Sequence, residues 1–307
     1  MRALPVLFAA LAFPAAALAW GGSYPTGDTG GTSVQIQMSD AYPVDESVPQ
    51  AWATFLGTLV HGPELAKLTL RLAPVDEVEQ TCGADSLACY DPRSETIVAS
   101  PDDQPGSPPA HEIVIHEYGH HIANNRSDAP YRAEDYGTKR WASYENICAL
   151  VAAGQLAPGN EAFDYSINPG EAFAEAYRVL NLTRENAAPI TWALVEHALY
   201  PDATALALLQ EDILDPWTGP TARHLHGSFG YGTARTFVVP TPLDGTFTAR
   251  FHAPTGSQMR LVVSDGTNVI TRGGSIHLNV CGERHLVLRV VRPSGRGGAF
   301  SIDMTKP

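Results

Sequence analysis

Two histidines lie four residues apart in His116-Glu117-Tyr118-Gly119-His120. On an α-helix, residues at i and i+4 share one face a turn apart, so this spacing lets both imidazoles address one point if the segment is helical. The flanking sequence agrees. Ser107-Pro108-Pro109 suits a helix start, with Ser as a cap and Pro in the first turn. Asn124-Asn125, which tolerate the left-handed conformation, suit its end. Ile113, Val114, Ile115 and Ile122 mark the helix as buried, and buried histidines need partners.

Two imidazoles on one helical face can grip a single metal ion, and neutral nitrogen donors suit Zn2+. Glu117, next to His116, is placed to act as a general base towards an attacking water. A third ligand is needed, and it must lie downstream. The continuation H-E-x-x-H-x-x-G-x-x-H fails, because position 123 is Ala and position 126 is Arg. In Glu171-Ala172-Phe173-Ala174-Glu175, after a cap-like Asn168-Pro169, two carboxylates at i and i+4 face one way on a predicted helix that runs to about Leu180. One can bind the metal while the other hydrogen-bonds a ligand histidine, and the small Ala residues let two helices approach closely. Glu171 is the expected ligand. A capping role for Glu171 is the bland alternative, Glu145 and Glu175 are the competing ligands, and Asp135 is a distant one. His121 and His111 lie off the ligand face and are expected to be structural. His224 and His226, at the domain junction, either reach the cleft or do nothing there, and the second is expected.

The H-E-x-G-H helix followed by E-x-F-A-E resembles the gluzincin metallopeptidases, especially relatives of the anthrax lethal factor catalytic domain. The resemblance covers the two motif helices. It implies that His116, His120 and Glu171 bind Zn2+ and that Glu117 is the general base. It also implies a tyrosine shortly before the ligand glutamate that stabilises the oxyanion, for which Tyr165 is the candidate.

Elsewhere the chain reads as α+β. Residues 21–33 look like a flexible leader. Ser47 and Gln50 have capping-box spacing before Trp52, Phe55, Leu56 and Leu59 at helical intervals. Lys67–Leu72 and Glu95–Ala99 read as strands, and Ile190–Leu199 and Ala203–Ile213 as helices. Pro216 and Pro220 then break the pattern. After about residue 225, short alternating runs at 236–239, 246–251, 259–264, 276–281, 285–291 and 299–304 predict a small β-sandwich. The Val238-Val239-Pro240 segment, Cys281-Gly282-Glu283-Arg284 and a Gly-rich final hairpin resemble bacterial pre-peptidase C-terminal domains. The expected organisation is a leader peptide at 1–19, a zincin-like catalytic domain at 20–225 and a β-sandwich at 226–307.

Arg2, the apolar run Ala3–Leu18 and Ala17-Leu18-Ala19 match a cleaved secretory signal, so the chain is expected to be exported, extracellular or periplasmic, with no membrane segment after cleavage. Four cysteines suit that compartment. Cys82 and Cys89 are expected to pair, whereas Cys148 and Cys281 either pair or stay as buried thiols. Formal charge is −13 and uneven: residues 20–225 carry 10 basic and 29 acidic side chains, residues 226–307 carry 9 and 4. An acidic body argues against nucleic acid as a partner. The basic tail either docks on that body or on an anionic surface, or is simply solvated. The expected activity is zinc-dependent peptide hydrolysis on a protein or peptide substrate. The rivals are hydrolysis of a non-protein amide of cell-wall type and a non-catalytic binding or adhesion role. No feature sets the oligomeric state.

Overall fold

The computed structural model describes residues 19–159, 165–185, 197–230 and 232–307. The expected leader up to residue 18, and the expected helix over residues 190–196, lie outside the described residues. Residues His197–Leu199 form a single 3-10 turn.

The chain opens with β1 (Trp20–Pro25) and β2 (Ser33–Met38), an antiparallel pair. The expectation of a flexible leader is thereby corrected. Gly21 has φ near 125°, and a Cβ there would sit 2.2 Å from the Ile36 carbonyl oxygen, so its glycine serves close backbone approach and not looseness. Helix α1 (Ser47–Thr58) follows. Its predicted capping box does not form: Ser47 Oγ donates to Asp45, and Gln50 Nε2 reaches back to the Pro25 carbonyl. After β3 (Thr69–Leu72) come α2 (Val75–Cys82), β4 (Ala88–Asp91) and β5 (Thr96–Ala99), and the strands make one sheet in the order β1-β2-β3-β5-β4. β2, β3 and β5 run parallel at its centre.

Alternation decides which face is buried. Val34, Ile36 and Met38 on β2 and Leu70 and Leu72 on β3 point to one side and are essentially inaccessible. Helix α3 (Ala110–Asn124) packs there through Val114, Ile115, Tyr118 and Ile122. It is followed by three short helices, α4 (Ala133–Tyr136), α5 (Lys139–Tyr144) and α6 (Ile147–Ala152), and by the longer α7 (Pro169–Glu185) and α8 (Ala203–Leu214). α7 and α8 share the same core through Phe173, Tyr177, Leu209 and Ile213. On the opposite face of the sheet, α2 covers Val98 with Val78, and Cys82 and Cys89 pack beside them.

The remaining strands are β6 (Thr221–Phe229), β7 (Ala234–Pro240), β8 (Gly245–His252), β9 (Arg260–Asp265), β10 (Asn268–Gly273), β11 (Ser275–Val280), β12 (His285–Val291) and β13 (Gly298–Lys306). They form two four-stranded sheets, β10-β9-β12-β7 and β11-β8-β13-β6, facing each other across Phe247, Leu261, Val263, Leu286, Leu288 and Ile302. The architecture is thus α+β with a β-sandwich-like C-terminal part. Sequence reading missed β6 and β10, whose exposed polar residues blur the period-2 signal.

Both cysteine pairs are disulfides, Cys82–Cys89 and Cys148–Cys281. The second ties α6 to the sandwich. Arg284 crosses the same junction, donating to the Ser143 carbonyl and to Asn146 Oδ1. Asp244 receives Arg284 Nη1, while its own amide donates to Ser143 Oγ at 2.9 Å. Among the described residues no helix is long and apolar enough to cross a membrane.

Candidate metal centre

Helix α3 starts after Pro109, but the predicted Ser107 cap is replaced: the Ala110 amide donates to Asp103 Oδ1 at 2.7 Å. At the other end Asn125 has φ near −100°, so the helix stops without the left-handed residue its sequence allowed. Asn168 does open α7 as expected, its Oδ1 accepting from the Gly170 amide at 2.8 Å. The two helices meet where side chains are smallest. A Cβ on Gly119 would lie 2.7 Å from Ala174 Cα, so glycine at this point of the motif lets α7 come close enough to present its carboxylates to the histidines.

Three donor atoms converge as a result. His116 Nε2 lies 3.1 Å from Glu171 Oε2, His120 Nε2 lies 3.3 Å from His116 Nε2, and His120 Nε2 lies 3.5 Å from Glu171 Oε2. His116 and Glu171 are buried and His120 is nearly so. On the far side of the ring, His116 Nδ1 donates to Glu175 Oε1 at 3.0 Å, which keeps Nε2 turned to the shared point. Without an ion a proton shared between His116 and Glu171 holds the trio together; a cation at the shared point would replace that proton and engage both ring nitrogens and the carboxylate. His116, His120 and Glu171 could therefore hold a metal ion.

Electrostatics agree with the geometry. Burial alone would lower the His116 pKa, but its hydrogen bonds to Glu171 and Glu175 outweigh burial and raise it to about 10. His120 is raised against the same penalty of burial by the charge of Glu171. Burial works to raise Glu171, yet the charge of His120 and the hydrogen bond from His116 hold it well below the usual carboxylate range. The field at the shared point favours positive charge. Glu175 is anchored in turn by Arg178, whose Nη2 donates to Oε2 at 2.8 Å and whose Nη1 reaches Glu112 at 2.7 Å.

The trio lies on a cleft of about 740 Å3 whose wall includes Glu117, Tyr165, Arg132, Glu134, Asp135 and Gly159. A second cavity of about 490 Å3, lined by Leu87, Ala88, Pro108 and Ile113, shares His116, Glu117 and Tyr165 with it. The disulfide-closed loop Cys82–Cys89 walls both. Tyr165 stands in a short 3-10 turn just before α7. Burial, then the adjacent Glu171 charge and a hydrogen bond to Glu171, push its phenol well above the ordinary value, so it is a neutral donor.

The other candidates fall elsewhere. Glu175 orients His116 and does not join the trio, and Glu171 faces the histidines and does not cap its helix. Asp135 lines the cleft wall, 3.8 Å from Arg132 Nε. Glu145 ends α5, where burial first and then the charge of Asp202 raise its pKa to about 7. His121 is structural as expected, bonded to the Glu64 carbonyl and Tyr90, and His111 packs edge-on against Phe55. Gly119 and Arg178 went unread in the sequence. Arg178 had a faint signal, three residues after Glu175 on one helical face.

No family model and no curated protein matches the chain. Several solved structures are similar to part of it, among them the following three. One is a mitogen of Yersinia pseudotuberculosis, with 14% identity over 29% of this chain and 87% of that one at a TM-score of 0.24. The second is a periplasmic inhibitor of g-type lysozyme from Aeromonas hydrophila, with 19% identity over 29% and 88% at 0.23. The third is the pre-peptidase C-terminal domain of a collagenase from Bacillus anthracis, with 16% identity over 27% and 87% at 0.23. This last likeness is weak and partial.

Proposed function

We propose that the protein is an exported zinc metallopeptidase of gluzincin type, with a zincin-like catalytic part carrying the chemistry and the β-sandwich appended to it. The observation that carries this reading is the convergence of His116, His120 and Glu171 on one point beside Glu117, in an open cleft. Their separations of 3.1, 3.3 and 3.5 Å bracket the edge of about 3.3–3.4 Å expected for tetrahedral ligands about 2.0–2.1 Å from Zn2+. Two disulfides support an oxidising, extracytoplasmic location.

When bound, the zinc ion supplies Lewis acidity to the scissile carbonyl and to the attacking water. Glu117 takes the proton of that water and passes it to the departing amine. Tyr165, neutral and facing the same cleft, donates to the carbonyl oxygen as it becomes anionic. Glu175 and Arg178 keep the His116 ring from turning. A general base has no place in a binding module, so an intact Glu117 favours hydrolysis over adhesion.

The test is cleavage of a mixed peptide library read by mass spectrometry, with Glu117→Ala as control. New termini with the wild type alone, and full metal content in both proteins, are the expected result. A folded, zinc-loaded wild type that cuts no peptide would overturn the peptidase reading.

A further inference from the structure

We infer that the outer face of the sheet β11-β8-β13-β6 carries a second, exchangeable transition-metal site, built from His224, His252 and Asp303. It lies on the β-sandwich and does not depend on the peptidase reading.

Register places these residues together. On β6, His224 and His226 are two apart and therefore share a face. Asp303 on β13 is the Cα partner of His224, and Ser301, two residues before it, is the partner of both His226 and His252. Residues directly opposite on neighbouring strands point the same way, so the imidazoles of His224 and His252 flank the Asp303 carboxylate, with His226 beside His224 and with Arg250, the β8 partner of Asp303, on the same face. His224 Nδ1 donates to Asp303 Oδ1 at 2.5 Å, His252 Nε2 lies 3.1 Å from Asp303 Oδ2, and the rings of His224 and His226 stack with centroids 6.3 Å apart. His224, His252 and Asp303 border a shallow cavity of about 820 Å3, to which β11 adds His277.

The fold has little use for this cluster. The side chains of His224, His252 and Asp303 are 58%, 50% and 58% exposed, and ion pairs so exposed contribute little to stability. Its donors are nevertheless those of the buried centre: imidazole nitrogens around a carboxylate, a set suited to Zn2+, Ni2+ and above all Cu2+. The difference is rigidity. In the buried centre packing holds three donor atoms on one point, whereas here each carboxylate oxygen engages its own ring. Exposed rings turn freely, and an ion replacing the shared protons draws the nitrogens onto one carboxylate. Such a site binds more weakly than the buried one and exchanges its ion.

The experiment is titration of tag-free, zinc-loaded full-length protein with Cu2+, followed by calorimetry and by nitrogen couplings in the electron paramagnetic resonance spectrum. A second metal equivalent bound by more than one nitrogen is expected. It should persist in His116→Ala/His120→Ala. In His224→Ala/His252→Ala it should weaken at least about tenfold, with the first equivalent unchanged. Absence of a second equivalent, or one equally tight in the His224→Ala/His252→Ala and Asp303→Asn variants, overturns the proposal.

Discussion

Glu175 shows how one residue off the metal trio can govern it. Its carboxylate holds the Nδ1 proton of His116, so that Nε2 is the nitrogen a metal ion would take, and Arg178 fixes the carboxylate. Glu175→Gln keeps the volume but offers a weaker acceptor, so metal affinity measured by chelator competition should fall about 10–100-fold. Unchanged affinity would mean that packing alone orients the ring. Glu145 makes a different kind of prediction. Its pKa of about 7 in the folded chain exceeds the ordinary 4.5, so between those values the folded state keeps a proton that the unfolded chain releases. Its contribution to stability is full below about pH 4.5 and is lost as pH rises through 7. The melting temperature of Glu145→Gln should therefore gain on the wild type as pH goes from 5 to 8; a difference that stays flat across that range would show the carboxyl is not held out of water.

At the scale of elements, the centre is a crossing of α3 and α7, and Gly119 is the point of closest approach. Gly119→Ala would gain about 1 kcal/mol in intrinsic helix propensity. Against this, its Cβ would meet Ala174 Cα at 2.7 Å and push the helices apart, at a cost of about 1–3 kcal/mol. Because the same displacement carries Glu171 away from His116 and His120, metal affinity should fall together with stability. Lower stability with undiminished metal affinity would show that α7 gives way elsewhere. The sequence made α3 and the start of α7 legible, because the motif, the apolar face and Asn168 all act locally. Gly119 was not, since a glycine inside a helix looks like a weak point until the partner helix is in place. The strand β1 was illegible for a related reason: Gly21 reads as linker composition, and only pairing with β2 reveals it as a close contact. Glu175 was singled out through its spacing to Glu171 and Tyr165 only through the family resemblance, while Arg178 and the Cys82–Cys89 wall of the cleft depend on contacts between segments far apart in the chain.

For the whole molecule, the change of texture near residue 225 was the readable feature, and the join between the two textures was not. The basic tail and acidic body left docking by charge open beside a simply solvated face; at the join Arg284 reaches the Ser143 carbonyl and the Asn146 amide oxygen on the body and meets its carboxylate partner, Asp244, within the tail. The covalent part of the join is Cys148–Cys281, spanning 133 residues. Closing so long a loop removes much of the freedom of the unfolded chain, so Cys148→Ser/Cys281→Ser should lose on the order of 2–5 kcal/mol in denaturant unfolding. The loss should not reach the metal centre under native conditions, because α3 and α7 are held by their own contact and by the core they share with the five-stranded sheet. Metal content and Glu117-dependent turnover at 25 °C should stay at wild-type levels while unfolding shifts to lower denaturant. If turnover disappears with the disulfide although the protein remains folded, the sandwich takes part in forming the cleft, and the two parts of the chain would have to be treated as one catalytic unit.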